Sequence, residues 1–227
     1  MKMDTREQRV GLVTIGQSPR DDVVGEMRSI LGSGIKISQR GALDGLAGME
    51  IAKLKPGKND FPLITRLRDG SSVVVGKKEI LPLLQRKINE LEESGVTGIG
   101  LLCTAEFEEL ESRGLLLRPY HIIVHSIAAV VKEGTLGVFV PLQKQKQEAR
   151  EKWERTGLSV IVEALNPYQK SNEARKAIER VRGEKVDIIV LDCIGYPLKT
   201  KEKIRAATGR PVLLPRTALA RMISELT

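Results

Sequence analysis

Two stretches decide how this chain is read: VTGIGLLC, residues 96–103, and VDIIVLDC, residues 186–193. Each is a short apolar run that opens on a valine, follows a helix-like segment and ends on one of the chain's two cysteines. Runs of this length and composition read as buried strands. A shift of 90 residues superimposes Ile88 on Ile178, Leu91 on Val181, Val96 on Val186 and Cys103 on Cys193. A second correspondence heads each half, GLVTIGQSPR from Gly11 and GVFVPLQKQ from Gly137, both strand patterns running into a polar loop and a helix. Two related half-domains follow, although any strand–helix unit shares some of this pattern.

Working outward, strands and amphipathic helices alternate. RVGLVTIG (9–16) is a strand and QSPRDDVVGEMRSIL (17–31) a loop opening into a helix. IKISQRGALDGL (35–46) reads as a strand and loop, and GSSVVVGKKEILPLLQRKINELEESG (70–95) as a strand, turn and helix. After EFEELESRG (106–114), read as a helix that Glu106 caps, and an extended apolar connector around IIVHSIAAVV (122–131), TLGVFVPLQKQKQEAREKWERTG (135–157) gives a strand and helix. LSVIVEAL (158–165) is a strand, and SNEARKAIERVRGEK (171–185) a helix with Ser171 as N-cap and Asn172 and Glu173 in its first turn. Such alternation predicts the α/β class, with parallel strands covered by helices. The expected division is a first lobe of residues 1–121, onto which a C-terminal helix 216–227 packs back, and a second lobe of residues 122–215. Ligands of open parallel sheets gather at the carboxyl ends of the strands, so the loops after Ile15, Cys103, Val140 and Cys193 are expected to converge on a cleft between the lobes.

Composition narrows the function. The 227 residues are 41% hydrophobic and 29% charged, an ordinary globular balance. No apolar run approaches the roughly 20 residues needed to span a bilayer, and the opening MKMDTREQRV lacks a signal-peptide core, so a cytoplasmic protein without membrane association is expected. Two cysteines make no disulfide framework, and neither has a Cys-x-x-Cys or nearby histidine partner for a metal. The net charge of +8 is spread among 29 acidic residues, and three Tyr, three Phe and one Trp are few for stacking on bases. The basicity therefore reads as a solvated surface favouring a small anionic ligand over nucleic acid.

The ending LDCIGYPLKTKEKIRAATGRPVLLPRTALARMISEL, the start GLVTIGQSPRDDV and the middle LLRPYHIIVHSIAAVV together resemble the AroM family over essentially the whole chain. That family is similar to the aspartate/glutamate/hydantoin racemase superfamily, which also includes arylmalonate decarboxylases and maleate isomerases. The resemblance implies two pseudo-symmetric α/β lobes with one catalytic cysteine each, a homodimer, and chemistry without metal or other cofactor. Cys103-Thr104-Ala105 resembles the first Cys-Asn-Thr element of the racemases, with Asn missing and Thr moved beside the sulfur. Cys193-Ile194-Gly195 resembles the second Cys-Thr element without its Thr.

Removing an α-proton from a carboxylic acid needs a positioned base and donors for the enolate-like charge. Thiolate is the active form, so a thiol with an ordinary pKa of about 8.5 serves if its site lowers that value. Two cysteines from opposing lobes would supply one base on each face of the carbon; as buried residues they would pack as small hydrophobes. The loop Gly16–Arg20 has two compatible readings: Gln17, Ser18 and Arg20 as anion contacts at a helix N-terminus, or a helix capped by Ser18 with Pro19 in its first turn. Thr104, Gly195 and Tyr196 complete the expected substrate contacts, Tyr196 being equally readable as a turn-packing residue. His125 or Ser126 is a candidate cleft wall, while His121 and His125 lack a carboxylate to complete a metal site. Asp192 would raise its neighbouring thiol, and Gln143 and Lys144 read mainly as a solvated helix start. The expected activity is racemisation, isomerisation or decarboxylation of a small carboxylate, the alternative a non-catalytic small-anion binding protein.

Overall fold

The computed structural model describes residues 8–169 and 173–227. Every residue of β5 (Gly98–Leu102) and of β9 (Ile188–Leu191) is buried, so neither strand has a solvent face and each lies inside a sheet covered on both sides. Around β5 the first lobe places β1 (Arg9–Thr14), α1 (Asp21–Leu31), β2 (Lys36–Gly41), α2 (Gly48–Lys53), β3 (Pro62–Arg66), β4 (Ser72–Gly76), α3 (Lys77–Glu93) and β6 (Leu115–Leu117). Around β9 lie α4 (Pro119–Val130), β7 (Thr135–Val140), a 3-10 turn at Gln143–Gln145, α5 (Lys146–Glu154) and β8 (Ser159–Ala164). The chain then adds α6 (Glu173–Gly183), α7 (Leu198–Thr208), β10 (Val212–Leu213) and α8 (Pro215–Leu226).

The first sheet runs β2-β1-β5-β6 and the second β8-β7-β9-β10, with every neighbouring pair parallel. The order is the same in both, and so is the register: Gly11 stands opposite Ile99, and Gly137 opposite Ile189. Both glycines are sites of close approach. A Cβ on Gly11 would lie 3.0 Å from Leu91 and 3.3 Å from Ile99, and one on Gly137 would lie 3.3 Å from Val181 and from Ile189. Leu91 and Val181, like Ile99 and Ile189, are counterparts under the 90-residue shift, so the pseudo-symmetry extends to which side chains fill the space over each glycine.

The helices follow from their apolar stripes. In α1, Val23, Val24, Met27 and Leu31 face inward, with Asp21 and Asp22 favouring the N-terminal dipole and Arg28 the C-terminal one. In α3, Ile80, Leu84, Ile88 and Leu91 do the same. Helix α8 returns across the molecule: Leu219, Ala220 and Ile223 join a core with Val10, Leu12, Val23 and Met27. The division expected between residues 121 and 122 lies within α4, whose Tyr120, Ile123 and Ile127 pack with β7 and α5 residues. Among the described residues no helix is long and apolar enough to cross a membrane.

Four expectations are corrected. The connector around IIVHSIAAVV is helical, because Tyr120, Ile123 and Ile127 recur at helical spacing behind Pro119 at the first turn. EFEELESRG is irregular, pinned by buried Phe107 and Leu110, and Glu106 pairs with Arg155 instead of capping a helix. Ser18 does not cap α1, which starts at Asp21 with Arg20 as its N-cap residue, so Pro19 precedes the helix. The strand read at SVVVG is the second arm of an antiparallel hairpin with β3, an insertion that breaks the symmetry of the lobes. The N-cap reading at Ser171 and Asn172 lies outside the described residues.

Two glycine substitutions should move stability in opposite directions. Gly25→Ala, in an exposed helix interior with open space around its Cβ, should stabilise the protein by about 0.5–1 kcal/mol. Gly16→Ala would drive a methyl into Thr65 Oγ1 and the Arg66 carbonyl and should cost about 1–3 kcal/mol. Denaturant midpoints of the two variants check both signs.

Candidate active site

One cavity of about 350 Å³ opens where the carboxyl ends of the two sheets meet. Its wall takes Ile15 from the end of β1, Cys103 and Thr104 from the end of β5, Val140 from β7, and Asp192 and Cys193 from the end of β9. The β3 arm of the hairpin adds Leu63, Ile64 and Thr65, and α5 adds Ala149 and Lys152. The two cysteines are free, 7% and 8% exposed, and held alike: Cys103 Sγ accepts the Ala105 N–H at 3.5 Å, and Cys193 Sγ the Gly195 N–H at 3.4 Å. Each sulfur is thus aimed by the backbone turn that follows its strand.

The thiols are not lowered, as the sequence reading required, but raised. Burial pushes Cys103 to about 11 and Cys193 to about 12, well above the ordinary thiol range. The two N–H donors oppose that shift, Lys152 opposes it at Cys103 and Arg20 at Cys193, while Asp192 adds to it at both. Cys103 also raises Cys193, so the sulfurs sense each other across the cavity.

Arg20 is 2% exposed, and its fork is already engaged: Nε and Nη2 donate to Asp22 Oδ1 and Oδ2 at 2.8 and 2.9 Å. The bidentate partner expected from a ligand is therefore the chain's own carboxylate. Burial works against the guanidinium charge, but Asp22 and Tyr168 outweigh it and hold it protonated. Nη2 also reaches across the cleft to the Tyr168 hydroxyl at 3.3 Å. That hydroxyl sits over Gly195, where a Cβ would collide with it, so Gly195 is the gap that admits Tyr168. Burial, and then Cys193, raise the Tyr168 phenol well above its ordinary value.

A second connection crosses the cleft from the other side. Lys152 Nζ pairs with Asp192 Oδ2 at 2.5 Å and donates to the Thr104 carbonyl at 3.4 Å. Trp153 Nε1 donates to the same Asp192 oxygen at 2.7 Å. Asp192 Oδ1 and Thr65 Oγ1 are buried without a hydrogen-bond partner.

Cys103, Cys193, Arg20 and Thr104 thus share the cavity wall; five other expected contacts do not. Gln17 accepts the Arg68 N–H, and Ser18 donates to Asp44 Oδ2 at 2.6 Å, so both brace their own loop. Tyr196 is fully buried and its hydroxyl donates to the Leu165 carbonyl, the packing role. Gly195 acts through its backbone and its lack of a side chain. His125 is exposed on α4, stacked 6.3 Å from His121, which pairs with Glu108 at 2.8 Å. Ser126, also exposed, donates to the Ile122 carbonyl. Among the described residues no three metal-ligating side chains converge. Sequence reasoning missed Tyr168, Lys152 and Thr65. The Asn166-Pro167 turn after β8 was a signal for Tyr168 at the same sheet edge, whereas nothing local marks Lys152.

The AroM family profile, described as AroM protein, matches residues 10–227. No curated protein matches the sequence significantly. Solved structures similar to this fold include allantoin racemase from Klebsiella pneumoniae (TM-score 0.63, 16% identity, 96% of this chain and 87% of that one). Maleate isomerase from Pseudomonas putida S16 superimposes with a TM-score of 0.62 at 16% identity, over 96% of this chain and 92% of its own. Arylmalonate decarboxylase gives 0.59 at 13% identity, over 93% and 92%. At these identities the likeness is one of fold.

Because burial raises both thiols, the folded chain keeps their protons to higher pH than the unfolded chain does. The resulting stabilisation is present in full below about pH 9.0 and is lost as pH rises through about 11. Thermal melts between these limits should show falling stability, and the Cys103→Ala/Cys193→Ala double variant a flatter dependence. An equal slope in the two proteins would contradict the assignment.

Proposed function

The chain belongs to the AroM family, and from that membership and the cavity geometry we propose a cofactor-independent racemase, isomerase or decarboxylase of a small carboxylate. The observation that carries this reading is the pair of thiols at equivalent strand ends, each aimed by the N–H two residues on, in the wall of one cavity. The volume, about 350 Å³, suits a small ligand. In a racemisation or a proton-shift isomerisation one sulfur, as thiolate, takes the proton from the carbon next to the carboxylate, and the other returns a proton from the opposite face; in a decarboxylation carbon dioxide leaves instead, and one thiol protonates the carbanion left behind. The developing negative charge meets the Arg20 guanidinium and the Tyr168 hydroxyl, in a site where burial strengthens both of them. That proteins of this fold are named for a racemase, an isomerase and a decarboxylase supports a scaffold suited to several outcomes of such a step.

The burial that keeps both thiols protonated favours one second reading, a protein that holds a small anion without turning it over. Proton exchange separates the two. With a panel of small carboxylic acids in deuterated water, the enzyme reading predicts deuterium at the α-carbon of at least one acid. Cys103→Ala or Cys193→Ala should slow that exchange by about 10²–10⁴-fold. Binding of an acid with no exchange and no conversion would instead support the anion-binding reading. For the active substrate, kcat/KM should still be rising at pH 9.0, since both thiols titrate above it.

A further inference from the structure

Lys152 touches the loops of both thiols. From α5 its Nζ donates to the carbonyl of Thr104, the neighbour of Cys103, and pairs with Asp192, the neighbour of Cys193. The ammonium lies 4.8 Å from the Tyr120 ring centre and 5.0 Å from that of Trp153, which also binds Asp192. The Lys152 and Asp192 side chains are only 12% and 4% exposed, so water screens the pair weakly. A fixed dipole therefore stands in the cavity wall, its cation in contact with the Cys103 loop and its anion built into the Cys193 loop.

We propose that the Lys152–Asp192 pair makes the two thiols unequal, setting Cys103 as the one that ionises first and serves as base, and Cys193 as the one that stays protonated and serves as acid. The inference rests on the two-thiol reading above and adds a direction: the substrate loses its proton on the Cys103 face and regains one on the Cys193 face. Other charged and titratable groups face the two sulfurs as well. Cys103 faces Lys152, Asp192 and Cys193, with Lys77, Glu106, Glu148, Glu151 and Arg155 also on the wall; Cys193 faces Cys103, Asp192, Arg20, Tyr168 and Tyr196. Arg20 favours the Cys193 thiolate, but its fork is committed to Asp22. Lys152 favours the Cys103 thiolate, whereas Asp192 opposes ionisation of both. Lys152 and Asp192 are positioning residues, acting through the sulfurs.

Alkylation of the intact protein by iodoacetamide from pH 7 to 11, with each modified peptide quantified by mass spectrometry, tests this without any substrate. Cys103 should be modified first throughout. Lys152→Met should slow Cys103 about tenfold and change Cys193 little, Lys152→Arg should restore the rate, and Asp192→Asn should speed both thiols. Modification of Cys193 first, an unchanged Cys103 rate in Lys152→Met, or equal slowing of both thiols would overturn the proposal. The order in the unaltered protein and in Asp192→Asn decides the matter should Lys152→Met not fold. For an acid that exchanges its proton, Lys152→Met should lower kcat with KM retained; a raised KM with unaltered thiol rates would make Lys152 a substrate anchor and overturn the ordering. If no acid exchanges, the alkylation order still stands, so failure of the enzyme reading is distinct from failure of this one.

Discussion

The buried guanidinium of Arg216 joins parts that the topology alone leaves independent. It projects from α8, 1% exposed, and donates through Nε and Nη2 to the Ile194 carbonyl at 3.1 and 2.9 Å. Through Nη1 it reaches the Asp22 carbonyl and Glu26 Oε2, each at 2.9 Å. Ile194 follows the second thiol, and Asp22 holds Arg20, so one side chain sets the Cys193 loop against the first lobe. Glu26 extends the link by accepting the Leu198 N–H at the start of α7. Burial lowers the guanidinium pKa, with Glu26 opposing that loss. Such a group is a costly source of stability, and its value here is a defined geometry between two sheets that share no strand.

That geometry matters because the cavity wall combines strand ends of both sheets with the β3 arm and α5. Each sheet alone presents one sulfur and half a wall. Arg20 reaches Tyr168 from one side, and Lys152 reaches Thr104 from the other. The hairpin β3–β4, present in one lobe only, closes the wall with apolar side chains and is tied across the cleft by Gln145 Nε2, which donates to the Pro62 carbonyl at 2.8 Å. A pseudo-symmetric scaffold therefore carries an asymmetric site. The thiols share their backbone aim but not their neighbours.

The architecture was legible where the chain repeats itself. VTGIGLLC and VDIIVLDC have no polar face, so they had to lie inside sheets, and the matching strand-into-loop patterns from Gly11 and Gly137 foreshadowed equal registers. Legibility failed where apolar content outran periodicity: IIVHSIAAVV is apolar enough to pass for an extended run, and only its Tyr120–Ile123–Ile127 spacing reveals a helix. On the cavity wall, Cys103, Cys193, Arg20 and Thr104 were legible because strand-end loops of parallel sheets point one way. Gln17 and Ser18 sit in such a loop, yet Asp44 and Arg68 claim their polar atoms. Lys152 and Tyr168 were not legible because their roles depend on contacts across the cleft, which no local pattern encodes.

We propose that a small carboxylate reacts in the space between Cys103 and Cys193. A crystal structure of the protein with such an acid bound tests it directly. The α-carbon should lie between the two sulfurs, about 3.5 Å from each, with the carboxylate toward Arg20 or Tyr168. A ligand seated elsewhere, or one in the cavity with either sulfur turned away from it, would contradict the claim.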